Sequence, residues 1–255
     1  MLNCKKIIRV ADKVINLLIV LCFLPVLCYG IYVLWDSQHI NQQAEASLYE
    51  TYRPTDKNEL SFAELIKQNP EVFGWLTVKD THIDYPLVQT ENNSKYVNTD
   101  VLGKFSLSGS IFLDCRNQKN FSAVNNILYG HHMANDAMFG ELEYYENSSY
   151  FKEHLKGTLY YGNTWHDVEF FAFLHADAYD TMLYNTFLQP ENRKEYLDYI
   201  KKHAINFQEL SFQENERFLT LSTCTSDSTN GRHLLIGRIL EDTKKKQGEP
   251  QYEKE

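Results

Sequence analysis

Val14–Leu34 is apolar almost without a break, with Asn16 its only strongly polar member, and this run divides the chain before any fold is considered. At about 1.5 Å of rise per residue, a helix over it spans roughly 30 Å, the thickness of a bilayer's hydrocarbon core. Pro25 and Gly30 fall inside the run, and both are tolerated in a membrane helix. A cleaved secretion signal is the competing reading. Its apolar core is only about 7–15 residues long, and the Ala44-Glu45-Ala46 triplet lies well past the end of this run. Lys5, Lys6, Arg9 and Lys13 precede the span and Asp36 follows it. That asymmetry keeps an N-terminus inside and sends the body outside. The expectation is a cytoplasmic leader over 1–13, one transmembrane helix over 14–35 and an extracytoplasmic body held at the cell membrane.

The formal charge is -9, and because the leader is basic the body is more acidic than the whole. An acidic body argues against nucleic acid as a partner. Seventeen Tyr and fifteen Phe suit strands and a peptide-binding groove, and suit an aromatic core equally well. Cys115 and Cys224 are the only cysteines after the apolar run. A disulfide between them is possible in principle, and the absence of any CxxC argues against zinc.

Residues 36–60 form a polar linker, with Asp36–Thr55 reading as a helix leading away from the membrane. Ser61–Gln68 reads as a second helix, opened by a Ser61/Glu64 capping box and ended by Pro70. From Val72 the texture changes to short β-like runs separated by Asn, Asp and Gly. These are Gly74–Val78, Ile83–Gln89, Ser110–Asp114, Asn126–Tyr129, Thr158–Tyr161, Val168–His175, Phe218–Ser222 and His233–Leu240. Many short strands at irregular spacing indicate a mainly β, closed barrel rather than a βαβ fold. Two helical interruptions are expected, a short one over Asp136–Tyr145 and a longer one over Pro190–Ala204. The domain is placed at 61–242, with a charged tail over 243–255.

The chemistry concentrates at two strand ends. Cys224 closes the alternating run from Leu219, and Arg232 opens the next run after a Ser/Asp/Asn/Gly loop. A thiolate is a nucleophile, and a fixed cation beside it favours the thiolate and can hold a substrate oxygen. A buried strand cysteine and a surface arginine are the plain alternative. Among nine histidines, His131 and His132 follow the apolar run Ile127–Tyr129 and Gly130, which also puts an imidazole at a strand end. His233, next to Arg232, points to the opposite side of its strand.

TLSTC at 220–224 with Arg232 downstream, YGHHM at 129–133, GSIFLD at 109–114 and FGWLTV…IDYPLVQ over 73–89 together resemble a sortase, most of all class B. The resemblance covers roughly 60–240 and the anchor topology. It implies a closed eight-stranded barrel with N-terminal helices and an inserted helix over 190–204, before the Cys-bearing strand. It also implies cysteine transpeptidation in a Gram-positive wall: cleavage of a secreted protein's C-terminal sorting signal (NPxTx- or SPxTG-like) after Thr, and transfer to a peptidoglycan precursor (lipid II) amine. Cys224 is then the nucleophile, His131 the acid/base in preference to His132, and Arg232 the oxyanion stabiliser. Ser222, Tyr129, Tyr184, Asn93 and Val97 correspond to substrate-groove positions. No metal or organic cofactor is implied. The chain departs from some relatives at Cys115, where an aromatic is expected. Three other readings stay open: a pilin-polymerising sortase, a cysteine peptidase whose intermediate is resolved by water, and an anchored binding module with an inert Cys224.

Overall fold

The structure, a computed structural model, describes residues 2–55, 59–225 and 229–240. The chain divides into two compact units, one ending at Gln42 and one beginning at Gln43. The first is a single helix, α1 (Leu2–Gln43), which carries the apolar run and Pro25 without a break. Its apolar side chains from Ile7 to Trp35 are exposed, and it is long and apolar enough to cross a membrane. The helix expected over Asp36–Thr55 therefore belongs to α1 only as far as Gln43; a 3₁₀ turn over Ala46–Tyr52 follows. The break comes where the chain enters the core of the second unit. Ala44 and Tyr49 are buried, and the Tyr85 hydroxyl donates to the Ala44 carbonyl at 2.9 Å.

The second unit opens with α2 (Glu59–Gln68). That helix begins two residues before Ser61, so the capping-box reading placed the start too late. Phe62 and Leu65 face the core and set which side of α2 is buried.

Strands β1 (Val72–Val78), β2 (Asp84–Val88), β3 (Ile111–Leu113), β4 (Asn125–Tyr129), β5 (Lys156–Tyr161) and β6 (Thr164–Asp177) follow in order. Beyond them lie β7 (Asn206–Phe207), β8 (Arg217–Cys224) and β9 (Gly231–Ile239). Hydrogen bonding runs β5-β1-β2-β3-β4-β8-β9-β6, and β6 pairs back onto β5, so eight strands close a barrel. All eight coincide with expected runs. Closure matters because it leaves no unpaired edge within the ring. Most pairs are antiparallel; β2–β3 and β4–β8 are parallel.

β7 is an addition that periodicity did not reveal: two residues paired antiparallel to Ala172 and Phe173 of β6. So is the one-turn helix α3 (Ser148–Glu153), capped by Asn147, whose side chain accepts from the Ser149 and Tyr150 N–H groups. The interruption expected over Asp136–Tyr145 is a 3₁₀ segment, Gly140–Glu146. Helix α4 (Arg193–His203) comes before β8, as expected for the insertion.

Two apolar layers result from strand alternation. One fills the barrel, from Trp75, Leu87 and Leu128 to Phe173, Leu221 and Leu235. The other lies on the outer face, where Tyr196 and Ile200 of α4 meet Phe171, Leu174, Phe218 and Leu234. The expected tail over 243–255 lies outside the described residues.

Candidate active site

β8 and β9 are antiparallel with Cys224 directly opposite Arg232, so thiol and guanidinium share one face at one end of the barrel. Cys224 is an exposed free thiol, and Cys115 is free and half-buried. Arg232 donates from Nη1 to the carbonyls of Gly231 (2.8 Å) and Thr229 (3.4 Å), which pins one nitrogen of the fork.

On the other side of β8, β4 runs parallel, with Tyr129 opposite Ser222 and the Gly130 N–H bonded to the Ser222 carbonyl at 3.1 Å. Two residues beyond that pair stand His131 on one strand end and Cys224 on the other. His131 is held by a 2.7 Å contact from Nε2 to the Val97 carbonyl. A carbonyl only accepts, so Nε2 carries the proton. Gly130 permits the approach: a Cβ there would sit 2.5 Å from Ile111 Cδ1 and 2.7 Å from Phe139 Cδ2. Gly130→Ala is therefore expected to cost about 1–3 kcal/mol in urea unfolding, and to displace His131.

The five residues expected in a groove make the following contacts near this end of the barrel. The Tyr184 hydroxyl and Ser222 Oγ lie 2.8 Å apart, and the Tyr184 ring stacks on Tyr129 with centroids 6.3 Å apart. Tyr129 donates to Asp114 Oδ2 at 2.9 Å, and Asn93 Nδ2 donates to the same oxygen at 3.1 Å. Val97 enters differently from the expectation, since the contact it makes to this site is through its main-chain carbonyl. Burial pushes the Tyr184 phenol up to about 12 despite the bond to Ser222 and the charge of Arg232. Sequence reasoning missed Asp114 and Arg116. A carboxylate closing the fully apolar Ile111–Leu113, with an arginine two residues on, was the available signal.

His132 turns to the reverse face. Its Nε2 meets Glu143 at 3.1 Å, and its ring lies 6.4 Å from His233, which in turn lies 4.8 Å from His175. His175 approaches Glu146 at 3.7 Å. His233 is 7% exposed and its Nδ1 has no hydrogen-bond partner among the described residues. Burial holds this imidazole below its ordinary value, His175 and His132 reinforce that, and Glu143 and Glu146 oppose it. The unfolded chain then binds more protons than the folded one. The stability from a neutral His233 is present above about pH 6.5 and is lost as pH falls below that value. The thermal midpoint is expected to fall between about pH 7 and pH 5, and His233→Asn to flatten the fall; equal slopes would refute this.

His82, Asp136 and Glu141 each bring one potential ligand atom within 4.8 Å of the others. Glu141 already accepts from the His82 N–H (2.5 Å) and contacts its Nδ1 (3.1 Å), while Tyr144 donates to Asp136 at 2.7 Å. These bonds account for the trio as a tether between two loops.

No protein-family model matches the chain. It is 31% identical over 179 residues to sortase B of Listeria monocytogenes, covering 69% of this chain and 73% of that one. Among solved structures it is similar to a Streptococcus pyogenes class B sortase involved in pilus biogenesis. That similarity reaches 40% identity and a TM-score of 0.65, over 70% of this chain and 97% of the other. It is also similar to the Staphylococcus aureus sortase B–substrate complex, at 25% identity and a TM-score of 0.71, over 82% and 99% of the two chains.

Proposed function

This chain belongs to the sortase B family of cysteine transpeptidases, and from that premise we propose that Cys224, His131 and Arg232 carry the reaction at the barrel end. The observation that supports this most is the register that sets Arg232 opposite Cys224 while parallel pairing brings His131 to the same level from the other flank. The Cys224 thiolate attacks the Thr carbonyl carbon of a C-terminal sorting signal of the NPxTx or SPxTG kind. Arg232 receives the developing oxyanion. His131, whose Nε2–H stays on the Val97 carbonyl, takes the Cys224 thiol proton on Nδ1 and gives it to the leaving amine as the C–N bond breaks, leaving a thioacyl on Cys224. An amine of a peptidoglycan precursor such as lipid II then attacks the thioester carbonyl, its surplus proton passing to His131 as the C–S bond breaks and the Cys224 thiolate departs. Ser222, Tyr129, Tyr184, Asn93 and the Val97 segment line the groove that holds the peptide.

In this reading α1 supplies a leader over 1–13 and a membrane anchor over 14–35, with 36–60 as linker and 61–242 as the catalytic domain outside the membrane. The exposed apolar surface of α1 supports the anchor. A second reading, a sortase that joins pilin subunits through a lysine amine, is supported by the similarity to the S. pyogenes enzyme.

The test mixes full-length protein in detergent with NPxTx, SPxTG and LPxTG peptides and either a glycine-type or a lysine-type amine. Mass spectrometry then follows the Cys224 adduct and the amine-linked product. Product with the glycine-type amine supports wall attachment, and product with only the lysine-type amine supports pilus assembly. Cleavage without amine incorporation would point to a peptidase.

A further inference from the structure

Asp114 is fully buried, yet it ends β3 next to the groove and collects five hydrogen bonds. Oδ1 accepts from the Arg116 N–H (2.9 Å) and Arg116 Nε (2.8 Å). Oδ2 accepts from Arg116 Nη2 (2.7 Å), the Tyr129 hydroxyl (2.9 Å) and Asn93 Nδ2 (3.1 Å). A buried carboxylate is costly unless paired and fully bonded. Here a bidentate guanidinium supplies the pairing, and burial's upward push on this carboxyl is outweighed, so that it stays below its usual range.

The consequence falls on Asn93 and Tyr129. A phenol has one proton, and Tyr129 spends it on Asp114, so toward the groove its oxygen can only accept. Asn93 is oriented from both ends. Its Oδ1 accepts from the Cys115 N–H at 2.8 Å, and its Nδ2 faces an oxygen of an ionised carboxylate that can only accept. Neither contact survives an amide flip. Asn93 is half-buried, and the group it has left to offer a ligand is its second N–H.

We propose that Asp114 is the positioning residue that sets the polarity of the peptide groove, fixing Asn93 as a donor to a carbonyl of the bound peptide and Tyr129 as an acceptor. Three chain segments, the loop after β2, the end of β3 and the end of β4, are brought into one hydrogen-bonding pattern by this single side chain. Arg116 extends it toward a fourth, its Nη2 reaching 3.5 Å from the Tyr184 carbonyl oxygen. Asp114 touches neither Cys224 nor the reacting carbonyl, so its contribution belongs to peptide affinity and register, not to bond making.

This inference rests on the transpeptidase reading, and the experiment separates the two. Full-length wild type, Asp114→Asn and Arg116→Gln are compared for peptide KM, maximal rate of Cys224 acylation, rate of Cys224 alkylation by iodoacetamide, and thermal midpoint. Losing a bond to a charged group corresponds to about tenfold in affinity. Asp114→Asn is expected to raise KM about tenfold, with maximal acylation and alkylation rates within about twofold of wild type. Arg116→Gln, whose side chain is 41% exposed and so leaves no cavity, is expected to raise KM in the same way, with a lower thermal midpoint because Asp114 loses its paired charge, and serves as the second variant if Asp114→Asn fails to fold. Unchanged KM in the folded variants would overturn the inference, as would acylation and alkylation falling together. Wild type that no peptide acylates overturns the parent reading and this inference with it; active wild type with unchanged KM in both variants overturns this inference alone.

Discussion

Cys224→Ala is expected to abolish the thioacyl adduct and every amine-linked product, with no loss of thermal stability. Cys224 is an exposed residue at the last position of β8, so its side chain contributes little to the core. His131→Ala is expected to reduce acylation by about 10²- to 10⁴-fold, the usual worth of a positioned acid/base. His132→Ala is expected to leave acylation within about tenfold of wild type, because His132 meets Glu143 and His233 on the reverse face. The pair of variants thus tests the assignment directly. A larger loss in His132→Ala than in His131→Ala would move the acid/base role to the neighbour. Cys115 is the internal control: it is a free thiol in the same body, and an adduct that persists there in Cys224→Ala would mean the nucleophile was misassigned.

The barrel was legible in the sequence because eight short β-like runs were set apart by Asn, Asp and Gly. What escaped was structure too short to leave such a run. β7 is two residues long and exists because β6 offers it a pairing edge; α3 is one turn, specified by the Asn147 cap rather than by periodicity. The helix expected over Asp136–Tyr145 tightened to 3₁₀, with Gly140 so close to Met133 that a Cβ would lie 2.3 Å from its carbonyl oxygen.

At the site, residues two apart on a strand share a face. The spacing of Ser222 from Cys224 and of Tyr129 from His131 is therefore readable in the sequence, as is the opposite facing of His233 beside Arg232. Asp114 was not legible in the same way. A carboxylate after an apolar run reads as a strand terminator, and only three-dimensional closure shows that Asn93, Arg116 and Tyr129 converge on it. Nor does a side-chain pattern reveal Val97, whose contact to His131 is made by a main-chain oxygen.

Arg232→Lys is expected to lower kcat/KM for acylation by at least about 10²-fold, nearly as much as Arg232→Ala, the scale of removing one preorganised oxyanion donor. Lysine keeps the charge, so the comparison separates charge from geometry. The described bonds of Arg232 use only Nη1, which is tied to the Gly231 and Thr229 carbonyls. That anchoring fixes the plane of the fork and points its remaining donors without further cost when the oxyanion forms. A lysine ammonium would be a rotatable point charge with no equivalent of the tethered nitrogen. The guanidinium's field also reaches Tyr184, where it acts to lower the phenol while Cys224 acts to raise it. All three groups therefore share one electrostatic neighbourhood. Tyr184→Phe removes the hydroxyl that bonds Ser222 and is expected to raise peptide KM while leaving the Arg232→Lys penalty on maximal rate intact. If Arg232→Lys retained activity within about tenfold of wild type, the charge alone would suffice, and the fork would have no role beyond holding the β8–β9 loop.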